Sequence, residues 1–158
     1  MNGLGCVAEL PSPQPFPFDD SFPSTTFDGT KWTWRYTSAT DISPNGSNEP
    51  SAPNAMRLRS FGSAQFRDGE VRSNFIQLQG QSSLVLDFHL QRVGVESGES
   101  LTVEYNAAFG GWQPLLVVVS DGVSQTEFDH HTIPLPALAY HNEFRVRFKV
   151  EGNDLTRT

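Results

Sequence analysis

Basic residues alternate in two short runs, a spacing that places side chains on one face of a β-strand. The runs are Arg57 and Arg59, then Arg145, Arg147 and Lys149. Side chains at positions i and i+2 of a strand point to the same side. If the two strands are neighbours, they form a basic stripe that suits carboxylates or sulfates. The alternative is cross-strand pairing with acids such as Asp87, Glu99 or Glu104.

Aromatic residues are candidates for sugar binding, because a flat ring can stack on the apolar face of a pyranose. Trp112 follows a Gly-Gly pair at the mouth of a strand, so it is the best candidate for a partly exposed platform. Trp32, Trp34 and Tyr36 alternate and are predicted to share one strand face. We expect that face to be buried, since large aromatic side chains usually pack in cores.

Histidine spacings indicate no metal-binding motif, and carboxylate spacings indicate no catalytic motif. His130 and His131 are adjacent, so on a strand they point to opposite sides and cannot chelate one ion unaided. His89 and His141 lie elsewhere, and we expect solvated surface histidines. The chain also lacks the paired carboxylates, nucleophile motifs and phosphate loops that hydrolases and transferases need. The sequence therefore predicts a protein that is not an enzyme.

The composition indicates one acidic domain. The chain has 158 residues, with 11 Lys+Arg against 18 Asp+Glu and a formal net charge of -7. This balance argues against nucleic-acid binding, which requires a basic surface. No segment approaches the roughly 20 apolar residues of a membrane helix, so membrane insertion is not expected. The single cysteine, Cys6, cannot form a disulfide within the chain.

Two segments have the composition of linkers or loops. Residues 1–15 contain a proline-dense run that favours an extended backbone, and we interpret them as a leader or interdomain linker. Residues 41–54 are rich in Ser, Pro, Asn and Gly and are predicted to form a loop. The folded domain is assigned to residues 16–158.

Within the domain, apolar residues repeat with a period of two, which is typical of strands with one buried and one solvated face. The alternation is clearest at residues 84–90, 101–105 and 144–150, and the apolar run at 115–119 predicts a strand covered on both sides. Shorter candidate strands are 18–22, 32–36, 56–60, 71–78 and 126–133. About nine short strands predict an all-β protein, an antiparallel two-sheet β-sandwich of the jelly-roll type.

Several short motifs follow one another in a distinctive order. Phe18-Asp19-Asp20-Ser21-Phe22 precedes Trp32, and later motifs are Gly110-Gly111-Trp112, Ile133-Pro134-Leu135-Pro136 and Phe144-Arg145-Val146-Arg147-Phe148. This succession resembles the reelin-repeat-like and MAM-like, concanavalin-type jelly-roll domains of secreted multidomain proteins. The resemblance covers roughly residues 16–152. It implies an extracellular or cell-surface location.

The resemblance also implies a structural calcium site near the start of the domain. Family members offer acids at the positions of Asp19 and Asp20, often together with an Asp pair in a closing strand. Oxygen ligands from both chain ends would pin the sandwich shut. Here the closing motif is missing and only Asp154 is near its place. The expected ligands are therefore Asp19, Asp20 and Asp154, and the alternative is a solvated acidic strand start.

These features predict a non-catalytic accessory module for adhesion or ligand binding, with a glycan or an extracellular protein as partner. One alternative is a carbohydrate-binding module that targets an attached enzyme. Another is a structural subunit that self-associates through strand edges. Because the closing strand is missing, we expect residues 7–10 of the leader to cover a sheet edge in this molecule or in a neighbouring one.

Overall fold

The computed structural model describes residues 13–14, 16–46, 48–51, 53–60, 69–108 and 110–152. Nine strands and one short 3₁₀ helix, Ala137–Ala139, lie in this part of the chain. The strands are β1 (Trp32–Arg35), β2 (Thr40–Ser43), β3 (Ala55–Leu58), β4 (Glu70–Ser73), β5 (Val85–Leu90), β6 (Ser100–Ala107), β7 (Gly111–Val119), β8 (Asp129–Pro134) and β9 (Val146–Glu151). Every strand pair is antiparallel, which confirms the predicted all-β sandwich.

The strands form one large sheet and two ribbons. The large sheet has five strands in the order β1-β4-β9-β6-β7, while β2 pairs with β3 and β5 pairs with β8. Phe88 of β5 lies 5.4 Å from Phe148 of β9, measured between ring centroids, with the ring planes nearly perpendicular. Met56 and Leu58 of β3 also pack against the core. The ribbons therefore face the inner side of the large sheet.

The core consists of the alternate side chains that the period of two predicts. Val71 of β4 and Val103 of β6 are fully buried, and Val146 and Phe148 of β9 lie beside them. Trp32 is only 7% exposed. Burial of these apolar side chains provides the main driving force for folding.

Two predicted features of the first third of the chain are wrong. Residues 18–22 form no strand, because the Asp20 carboxylate accepts a hydrogen bond from the backbone N–H of Phe22, whose φ is 51°. Such a local side-chain bond stabilises a turn in place of a strand. The predicted loop at 41–54 overlaps β2, a short, mostly polar strand that pairs with β3. Its sequence, Thr-Asp-Ile-Ser, lacks the apolar alternation that marks other strands.

Two further strands differ from the prediction. The apolar run at 115–119 is not covered on both sides, because β7 is an edge strand of the large sheet and Val117 and Val119 are 52% and 59% exposed. The segment predicted as one strand at 71–78 ends at Ser73, and Ile76 makes an isolated bridge to Phe144 instead.

The end of the proline-rich leader contacts the domain through backbone hydrogen bonds. Gln14 donates its N–H to the carbonyl of Phe75 at 2.6 Å and accepts one from Gln77 at 3.3 Å. Residues 7–10 and the candidate ligand Asp154 lie outside the described residues, so the expectations placed on them stay predictions. No helix in the described segments is long and apolar enough to cross a bilayer.

Candidate ligand-binding site

A row of directly opposed residues crosses the outer face of the large sheet. Each residue of the row lies opposite the next one on the neighbouring strand. In the sheet order from β1 to β7, the residues are Trp34, Arg72, Arg147, Glu104 and Pro114. Trp112 lies two residues before Pro114 on β7 and faces the same side. We call the set Trp34, Arg72, Trp112 and Arg147 the Trp–Arg face.

A break in strand register brings Trp34 to this face. The pairing of β1 with β4 shifts between Trp32 and Trp34, so that Trp32 lies opposite Ser73 whereas Trp34 lies opposite Arg72. A bulge of this kind rotates the following side chain to the other side of the sheet. Trp32 is 7% exposed and Trp34 is 37% exposed. The prediction that these tryptophans share one face is therefore wrong.

The two indole rings stand beside arginine side chains. The guanidinium carbon of Arg72 lies 4.2 Å from the ring centroid of Trp34 and 5.6 Å from that of Trp112. The guanidinium carbon of Arg147 lies 4.5 Å from the ring centroid of Trp112. Each cation–π contact contributes about 0.5–1 kcal/mol at an exposed site. These three contacts orient both indole rings in the absence of a ligand.

Two glutamates neutralise these arginines. Arg72 Nε lies 2.6 Å from Glu70 Oε1, and Arg147 contacts Glu104 at 2.5 Å and Glu70 at 3.5 Å. The side chains of Arg147 and Glu104 are only 15% and 14% exposed. For Arg147, the structure thus supports the alternative of cross-strand pairing with Glu104. Arg72 and Arg147 hold the rings in place and are not free cations.

Arg145 differs from its neighbours because it has no carboxylate partner in the described part of the chain. Its Nε donates to the carbonyl of Ser73 at 2.8 Å, and its Nη2 donates to Thr33 Oγ1 at 3.0 Å. Burial lowers the pKa of Arg145, and the positive charge of Arg72 lowers it further. An anion bound beside the guanidinium would offset both effects. Arg145 is therefore the residue best placed to receive one.

The other predicted arginine pair lies elsewhere. Arg57 is on β3, and Arg59 is the first residue after the end of this strand. Both arginines contact the carboxylate of Asp41 at 2.7 Å. The basic stripe required the two strands to be neighbours, and β3 pairs with β2 and not with β9, so Arg57 and Arg59 form no stripe with Arg145, Arg147 and Lys149. These two arginines are paired with an acid on a separate ribbon.

The predicted calcium ligands Asp19 and Asp20 differ in exposure and in hydrogen bonding: Asp19 is exposed, whereas Asp20 is partly buried. Asp20 accepts a hydrogen bond from the indole N–H of Trp32 at 2.7 Å and lies 3.7 Å from Lys31 Nζ. The same ammonium donates to the backbone carbonyl of Asp19 at 2.6 Å. These donors already satisfy the Asp20 carboxylate, and a calcium ion would have to displace some of them. The calcium site stays a prediction.

Replacement of Asp20 by alanine is expected to lower the free energy of unfolding by about 1–3 kcal/mol, because it leaves the buried indole N–H of Trp32 without a partner. Thermal melts of the wild type and of Asp20→Ala measure this loss of stability, and the same melts with a calcium chelator test whether calcium contributes. With the chelator present, Asp19→Ala, which removes an exposed side chain, is the control and should melt like the wild type. A wild-type melt that falls when chelator is added would support calcium, and an Asp20→Ala melt equal to that of the wild type would contradict the proposed structural role.

The β5–β8 ribbon brings together polar residues that sequence reasoning treated separately. His89 lies opposite His130, and Asp87 lies opposite Thr132. Hydrogen bonds from His130 and Thr132 lower the pKa of Asp87. His131 points inward and stacks on Phe88 with ring centroids 5.0 Å apart. The prediction that the adjacent histidines face opposite ways is confirmed, but the expectation that they are solvated surface histidines is wrong for His131, whose ring packs against Phe88, a residue that contacts the core. The cross-strand partners follow only from strand register.

A space of about 1120 Å³ lies between the large sheet and the ribbons. Its walls include inward-facing core side chains such as Leu86, Phe148 and Val150. A ligand there would occupy space that is already open and would contact mainly apolar side chains, whereas the outer face offers aromatic rings beside a cation. The Trp–Arg face together with Arg145 is therefore the better candidate site.

Comparison with known proteins identifies no relative of this chain. No protein-family model matches it, and neither a curated protein nor a solved structure does. The resemblance to reelin-repeat-like and MAM-like domains therefore stays a hypothesis.

Proposed function

We propose that this protein is a non-catalytic ligand-binding module of a secreted or cell-surface protein, and that it binds an anionic glycan on the Trp–Arg face. The observation that carries the proposal is the pair of arginine-held indole rings close to Arg145, a cation without a carboxylate partner among the described residues. Asn106 pairs with Trp112 and donates its N–H to the carbonyl of Arg145 at 3.1 Å, which brings Arg145 near Trp112.

The two residue types would recognise different parts of such a ligand. An indole ring offers a flat apolar surface for the C–H face of a sugar ring. A guanidinium group binds a carboxylate or a sulfate through paired, charge-assisted hydrogen bonds. A neutral sugar would use only the rings, so the arrangement favours an acidic one.

The dimensions of the face favour an oligosaccharide. The row from Trp34 to Pro114 crosses five strands, and neighbouring strands are about 4.8 Å apart, so the row is roughly 19 Å long. The two tryptophans lie on the two edge strands, β1 and β7. Their side chains converge on Arg72, whose guanidinium carbon lies 4.2 Å and 5.6 Å from the two ring centroids, so the rings are less than 10 Å apart and a short oligosaccharide could contact both.

One cluster of an acid, a histidine and a hydroxyl in the described part of the chain bears on the non-catalytic part of the proposal. Asp87 contacts His130 Nε2 at 2.7 Å, and Thr132 Oγ1 lies 3.4 Å from the same nitrogen. A nucleophile relay needs the acid and the hydroxyl on different ring nitrogens, so that the imidazole can pass a proton. This cluster does not have that arrangement.

A glycan array that contains sulfated, uronic-acid and neutral oligosaccharides tests the proposal. We expect binding to a subset of the acidic glycans that weakens as salt concentration rises, because part of the attraction is electrostatic. Binding to neutral glycans alone would contradict the proposed ligand class. No binding together with concentration-dependent polymerisation would favour the alternative of a structural subunit.

A further inference from the structure

Three exposed side chains on the outer face of the β5–β8 ribbon present metal-ligating atoms to one point. Asp87 and His89 come from β5 and His130 comes from β8, and their ligand atoms all lie within 4.8 Å of one another. The antiparallel register produces this cluster, because His89 is directly opposite His130 and Asp87 is two residues away on the same face.

The distances within the cluster are close to those that a metal ion requires. His130 Nε2 lies 2.7 Å from Asp87 Oδ2, and the rings of His89 and His130 are stacked with centroids 4.5 Å apart and planes at 9°. Ligand atoms at 2.0–2.2 Å from a tetrahedral zinc ion are about 3.3 Å apart. Because the stacked rings are nearly parallel, coordination of one ion would require both imidazoles to tilt towards it by side-chain rotation.

We propose that Asp87, His89 and His130 form a surface binding site for a divalent transition-metal ion of the zinc class. Two imidazoles and one carboxylate suit zinc, nickel or copper, whereas calcium and magnesium prefer oxygen ligands alone. The side chains of His130 and Asp87 are 54% and 51% exposed, which leaves a path for the ion and a position for water. Thr132 Oγ1, 2.9 Å from Asp87 Oδ2, holds the carboxylate in place.

The site has a structural consequence for the ribbon that carries it. β5 and β8 pair with each other and with no other strand of the described residues. A two-stranded ribbon is only marginally stable by itself. An ion held by residues of both strands would join them, and its binding to the folded state alone would raise the melting temperature.

Calorimetric titration of zinc into the untagged 158-residue chain tests this site. We expect one zinc ion per chain, and binding at least tenfold weaker in His89→Ala, because loss of even an outer-shell partner of a metal costs about 10–100-fold. Asp129→Asn, which changes an exposed acid of β8 next to His130 but outside the cluster, is the matched control and should bind zinc as the wild type does.

Circular dichroism of each variant shows whether it is folded, and the exposed His89 can be removed without opening the core. Zinc should also raise the melting temperature of the wild type and of Asp129→Asn, but not that of His89→Ala. Equal zinc affinity in wild type and His89→Ala would overturn the proposal. So would the absence of measurable binding to the wild type, or an equal affinity for calcium at this site.

Discussion

Replacement of Phe148 by alanine is expected to lower the free energy of unfolding by about 3–5 kcal/mol. Phe148 is 8% exposed and joins the two layers. Its ring centroid lies 6.4 Å from that of Trp32 in the large sheet and 5.4 Å from that of Phe88 on the β5–β8 ribbon. Removing the ring therefore deletes buried apolar area and enlarges the space between the two layers. A loss of this size is a large part of the 5–15 kcal/mol typical of a whole domain.

Chemical denaturation of the wild type and of Phe148→Ala measures this difference. Val117→Ala is the control, since Val117 also lies on the large sheet but is 52% exposed and should change the stability by less than about 0.5 kcal/mol. Equal destabilisation by the two substitutions would mean that β9 does not pack against the ribbon as described.

Substitution of the tryptophans on the outer face is expected to weaken glycan binding and to leave the fold intact. Trp34→Ala removes a ring that is 37% exposed and supported by Arg72, and we expect about a tenfold loss of affinity. Trp34→Phe keeps an aromatic surface and should restore part of the binding. Isothermal titration with an acidic oligosaccharide selected from the array measures all three proteins.

Val119→Ala provides a matched control for this prediction. Val119 is exposed on the same outer face at the far end of β7, and its truncation should leave the affinity unchanged. If Trp34→Ala binds as tightly as the wild type, Trp34 contributes no stacking. If Val119→Ala weakens binding as much as Trp34→Ala, the ligand does not distinguish the proposed face from its surroundings.

Much of the fold could be predicted because burial follows the period of two. The alternation at 84–90, 101–105 and 144–150 corresponds to β5, β6 and β9, with differences of a few residues at their ends. The period of two does not predict a turn that a side chain stabilises by accepting a backbone hydrogen bond, as Asp20 does. Nor does it predict a strand that is mostly polar, such as β2. It also cannot separate an edge strand from a central one when both are apolar, which is why β7 was assigned two covered faces.

The candidate site was predicted only in part. Trp112, Arg145 and Arg147 were identified as ligand residues, and the structure places them near one another on the outer face. Trp34 was missed because a register shift, which no local sequence pattern marks, turns it outward. The Asp87, His89 and His130 cluster was missed for a related reason. Asp87 and His89 are more than 40 positions from His130, and their proximity can be predicted only when the strand pairing is known.

The most direct test of the central claim is the charge preference of the wild type and of an Arg145→Gln variant. Each protein is titrated with an acidic oligosaccharide and with its neutral counterpart. Charge-assisted hydrogen bonds contribute about 1.5–3 kcal/mol, so the wild type should prefer the acidic ligand by about tenfold or more and Arg145→Gln should lose the preference. Arg57→Gln, whose arginine is paired with Asp41 on another ribbon, should keep it. A wild type without the preference, or an Arg145→Gln variant that retains it, would contradict the account.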